Sequence, residues 1–91
     1  MERSDGAASL DKQVTFISGF RTSVTLGNHT TDGYIKHFVI TAGTGDLSPA
    51  SLVDGTEHVI TWSGPGSFSL IWDAAISAWR LLGAPRGATV T

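Results

Sequence analysis

The chain has 91 residues, with six Lys or Arg against eight Asp or Glu, a net charge of −2, 41% hydrophobic residues and no cysteine. The weak negative balance argues against capture of a phosphate backbone, so nucleic acid is not an expected partner, and a charged fraction of only 15% excludes the disordered class. A domain of this size buries only about two-thirds of its unfolded surface. With no disulfide and no Cys/His spacing for zinc, oligomerisation is the expected source of further stability.

Residues 1–12 are small and polar and read as an N-terminal arm. Met1-Glu2-Arg3-Ser4-Asp5-Gly6 lacks the basic and apolar regions of a secretory signal, and no apolar run nears the roughly 20 residues of a membrane span. Synthesis in a cytoplasm and no membrane partner are the expectations.

Strand signals begin at Gln13-Val14-Thr15-Phe16-Ile17 and stop at Ser18-Gly19. Residues 21–26 alternate through Thr22, Val24 and Leu26, and Asn28-His29-Thr30-Thr31-Asp32-Gly33 forms a turn. The longest strand is expected over 34–41. Its odd face carries Ile35, His37 and Val39 and its even face Tyr34, Lys36, Phe38 and Ile40, so both faces are largely apolar. A sheet with one face in water alternates more cleanly.

Ala42-Gly43-Thr44-Gly45-Asp46 breaks the chain, and residues 47–53, interrupted by Pro49, have room only for a short edge strand or one helical turn. Residues 57–62 read as a strand, Ser63-Gly64-Pro65-Gly66 as a strong turn, and 67–72 as a strand with Phe68, Leu70 and Trp72 on one face. Residues 73–77 connect to a last strand over 78–82, completing an aromatic hairpin over 67–83. Residues 84–91 are a tail or an extra edge strand through Ala88-Thr89-Val90. The expected fold is all-β: a small antiparallel β-sandwich or barrel of about seven short strands, with the domain at 13–83.

No set of residues assembles an active site, and no enzyme, cofactor or metal is expected. His29, His37 and His58 lie on separate segments without ligand spacing. Gly64-Pro65-Gly66-Ser67 is no nucleophile elbow, because its serine follows a turn rather than joining strand to helix. Gly43-Thr44-Gly45 lacks the lysine and helix of a phosphate loop. Tyr34, Trp62, Trp72 and Trp79 pack in a core or subunit interface, or form a sugar-stacking platform; packing is the default for aromatic side chains of this size.

The run Thr31-Asp32-Gly33-Tyr34-Ile35-Lys36, with Val39-Ile40, Leu47-Ser48-Pro49-Ala50 and Val59-Ile60-Thr61-Trp62, resembles small β-modules of tailed-phage and other virus structural proteins. So does the ending, Gly66-Ser67-Phe68-Ser69-Leu70-Ile71-Trp72-Asp73 followed by Ala78-Trp79-Arg80-Leu81-Leu82-Gly83. The resemblance covers about residues 14–83. It implies a homotrimer located in a virion and assembled in the host cytoplasm, as a head decoration or cement protein bound to a major capsid protein. The alternative it implies is a tail- or head-fibre tip that binds glycan. Its one departure is the longer connection Asp73-Ala74-Ala75-Ile76-Ser77, which exposes Ile76. Expected contacts with copies or partners are therefore Tyr34, Phe38, Trp62, Trp72, Ile76 and Trp79.

Overall fold

The computed structural model describes residues 2–3, 6–18 and 22–91 and shows no helix among them. Its strands are β1 (Glu2–Arg3), β2 (Val14–Ile17), β3 (Thr22–Leu26), β4 (Ile35–Ile40), β5 (Thr44–Pro49), β6 (Ile60–Asp73), β7 (Ala78–Leu81) and β8 (Arg86–Val90). They form one curled sheet in the order β1-β2-β4-β6-β5-β3, with β7 and β8 both added to β6 off that path. Gly19 and Arg21, where sequence placed the end of one strand and the start of the next, lie outside the described residues, as do Met1, Ser4 and Asp5 of the arm.

All-β character is shown, but a purely antiparallel arrangement is not. The β1–β2, β2–β4 and β3–β5 pairs run parallel, while every pairing of β6 is antiparallel. The cause is the route of the chain. β3 follows β2 in sequence but lies at the far end of the sheet beside β5, so β4 returns next to β2 in the same direction.

β6 is the spine of the fold and carries the largest departure from the sequence reading. Ser63-Gly64-Pro65-Gly66 does not reverse the chain; one strand of 14 residues runs straight through it. On one edge β6 pairs first with β5, through Ile60 to Ser63, and then with β4, through Gly66 to Ile71. The exchange of neighbours falls on Gly64 and Pro65, so the missing proline N–H breaks no ladder there. Gly64 takes φ 119°, a conformation that a side chain disfavours, and the register against β8 shifts at the same place. The opposite edge carries β8 and then β7. One bent strand therefore serves two sheet halves: β2-β4-β6-β7, and β3-β5-β6-β8.

The segment with Pro49 also differs. β5 begins earlier, at Thr44, and lies between β3 and β6 rather than at an edge. Gly45 fits beside the bulky Trp62, and Pro49 is tolerated because it ends the strand, where Ala50 N–H donates to Leu26 O.

The arm belongs to the fold. Thr25 N–H donates to Gly6 O and Ala8 N–H to Thr25 O, Ala8 is buried, and Leu10 packs on the core. With β1 against β2 and Ala7 against β3, residues 2–3 and 6–10 between them touch both ends of the strand order. The core they help to cover is built by Ile17, Val24, Leu26, Phe38, Ile40, Leu47, Ile60 and Leu70 with the three tryptophans. Lys36 is buried among them; its Nζ donates to Lys12 O and to Thr15 Oγ1, 2.5 and 2.7 Å away, and lies 5.3 Å from the Phe38 ring centre.

Candidate functional site

Registered residues on neighbouring strands point to the same side, so the pairings define the outward set of each half. In the β2-β4-β6-β7 half the outward rows are Val14, His37 and Ser69; Ile35, Ile71 and Arg80; and Phe16, Val39 and Ser67, the last continued by Arg86 of β8. In the β3-β5-β6-β8 half they are Ser23, Asp46, Thr61 and Thr89; Thr25 and Ser48; and Thr44 and Ser63. The two halves differ in kind. One carries Val14, Phe16, Ile35, Val39 and Ile71 among its polar residues, the other only hydroxyls and a carboxylate.

The four aliphatic side chains are half-buried within the protomer and leave apolar area in water. Leu82, whose N–H donates to Ser69 O, is 43% exposed and extends the face beyond β7. Val53, 40% exposed, lies on the strip that covers the outer edge of β7, where Trp79 N–H donates to Ser51 O and Val53 N–H to Trp79 O. Two pairs of polar groups meet on this face: His37 Nδ1 is 2.7 Å from Ser69 Oγ, and Arg80 Nε donates to Asp73 Oδ2 at 2.8 Å. The Arg80 hydrogen bond holds the Asp73 carboxyl below the usual carboxylate range, against a smaller opposing effect of desolvation. A half-buried apolar field edged by polar groups, of which His37 and Arg80 are already paired, suits contact with another protein surface.

The residues expected from sequence to make contacts are mostly used elsewhere. Phe38, Trp62, Trp72 and Trp79 are buried in the protomer's own core, so their side chains present no surface to a partner. The physical reason is their place on inward-facing rows. Phe38 stacks on Phe68, with ring centres 5.0 Å apart, and Trp62 lies 6.0 Å from Phe68. Trp72 and Trp79 are cross-strand partners in edge-to-face contact at 5.3 Å, and Trp79 Nε1 donates to Gly27 O. Tyr34 is half-buried and stacks on His29 at 4.0 Å. Ile76 alone of the six is well exposed, at 46%. Its turn is braced by Ala74 N–H on Asp32 Oδ1 and Ala75 N–H on Asp73 Oδ1.

Tyr34 Oη and Trp62 Nε1 are buried without a hydrogen-bond partner. The histidines do not converge; among the described residues no group of three or more His, Cys, Asp or Glu is placed to hold a metal ion. The apolar odd face of β4 is legible in the sequence, but its neighbours Val14 and Ile71 are not, because finding them needs the β2–β4–β6 register.

Compared with known proteins, the chain matches no family model, no curated protein and no solved structure.

Proposed function

We propose that this chain is a non-enzymatic structural protein of a virion, a head decoration or cement subunit, which assembles with copies of itself through the outer face of its β2-β4-β6-β7 half. The observation that carries this reading is the contrast between the two outer faces, one with Val14, Phe16, Ile35, Val39 and Ile71 half-buried among polar residues and one covered by Ser, Thr and Asp alone. Full burial of each half-exposed Val or Ile gains roughly 1 kcal/mol. That gain supplements a core which, in a domain this small, is close to the minimum for stability. The virion setting, the homotrimer and the capsid partner come from the resemblance of the strand and hairpin motifs. Glycan binding is not carried forward, since the tryptophan faces it needs lie in the core.

Particles assembled with and without the chain test the reading. The protein is expected to co-purify with intact heads in fixed stoichiometry and to raise the temperature at which they release their genome. Recovery only in the particle-free fraction, with heads equally stable in its absence, would overturn it.

A further inference from the structure

The sheet has several strand ends, and most are covered. Residues 51–53 line the outer edge of β7, Asp54 Oδ2 accepts from Leu81 N–H, and residues 6–8 line the outer edge of β3. β8 is different: its only strand partner among the described residues is β6.

Hydrogen bonding fixes which β8 groups are open. Thr91 N–H donates to Val59 O, and the register pairs Ile60 with Val90, Thr61 with Thr89 and Trp62 with Ala88. In an antiparallel ladder, bonded and non-bonded pairs alternate. Thr89 therefore faces its backbone groups toward β6, and Ala88 and Val90 face theirs away. The other side of β6 agrees: Gly64 N–H donates to Gly43 O, so Trp62 and Ile60 direct their backbone groups toward Gly45 and Leu47 of β5. Two N–H and two C=O groups on β8 thus project sideways from a strand whose inward side chains, Ala88 and Val90, are only half-buried at the rim of the core.

We infer that β8 pairs antiparallel with β8 of a second copy across a two-fold axis at Thr89. Open groups on alternate residues 88 and 90 match themselves in that arrangement: Ala88 of each copy faces Val90 of the other and exchanges hydrogen bonds in both directions. No side chain of residues 87–91 is charged, so no like-charged side chains meet, and a two-fold contact of this kind closes on itself instead of growing into a fibre. The added strand also covers Ala88 and Val90 at the open rim. This pairing uses an edge, not the aliphatic face, and stands independently of the function proposed above.

The arrangement puts the two Thr89 residues in a non-bonded pair with Cα atoms about 4.5 Å apart, within disulfide range. The chain has no cysteine, so Thr89→Cys gives an unambiguous readout. Under mild oxidation this variant is expected to form a covalent dimer at least tenfold faster than Ser23→Cys, an exposed position on the same outer face at the far end of the row. Adding Ala88→Pro, which removes an N–H that has no hydrogen-bond partner among the described residues, is expected to abolish the difference while leaving the β-sheet circular dichroism unchanged. If Ala88→Pro disturbs the fold, Thr89→Lys replaces it, read as a lower mass by light scattering. Equal crosslinking rates at positions 89 and 23 would overturn the inference, as would oligomers indifferent to both edge variants. Val39→Asp on the aliphatic face is expected to leave the Thr89→Cys crosslink intact, which separates failure of the edge from failure of the face.

Discussion

Trp79 is where several segments meet. It packs edge-on against Trp72, its Nε1 holds Gly27 O at the end of β3, and its backbone binds residues 51 and 53. Trp79→Phe leaves that carbonyl without its donor and a gap beside Trp72, and is expected to lower unfolding stability by about 2 kcal/mol in urea titration. Lys36→Ala removes two hydrogen bonds and a buried stem, with an expected loss of about 3 kcal/mol. Asp73 contributes in the opposite direction to acid: its folded pKa is lowered, so its stabilisation is present above the ordinary Asp value and is lost as pH falls below it toward the depressed value. Asp73→Asn is therefore expected to flatten the melting temperature against pH on the acid side of about 4 and nowhere else. The Trp72–Trp79 pairing was legible in the sequence, because both residues flank one short connection. Burial of Lys36 was not: the alternation placed it with Phe38 and Ile40, but the Thr15 hydroxyl and Lys12 carbonyl that receive its ammonium come from 21 and 24 residues away.

At the scale of elements, β6 decides the architecture. Gly-Pro-Gly is the same local signal whether a chain reverses or a strand bends and changes neighbours, and only long-range pairing separates the two. Here Gly66 lies against the Arg86 carbonyl and Gly87, so there is no room for a side chain between β6 and β8. Gly66→Ala is expected to push β8 away and cost about 2 kcal/mol, with hydrogen exchange accelerated at residues 86–90 well before that of β4. Equal acceleration in both strands would mean that the bend does not act locally. The short strands around β2, β3, β4 and β7 were readable from β-branched runs and turns. β5 was obscured by Gly43, Gly45 and Pro49, residues that disfavour strands in isolation and fit here because of Trp62 above and the strand end below.

For the whole molecule, the contrast between faces is the central feature. The β3-β5-β6-β8 half is finished by hydroxyls that water satisfies, whereas Val14, Phe16, Ile35, Val39 and Ile71 leave apolar area open on the other half, with His37 and Arg80 already partnered. Part of this was legible as the two apolar faces of β4; its extent depends on the parallel β2–β4 register, which no local pattern encodes. The most direct test is the mass in solution of the Ala88→Pro chain, in which edge pairing is disabled and the aliphatic face is untouched, measured by light scattering at micromolar concentration. Three times the 9.6 kDa of one chain is expected, falling to one chain when Val39→Asp is added. A single-chain mass before Val39 is changed, or an oligomer that Val39→Asp leaves intact, would contradict it.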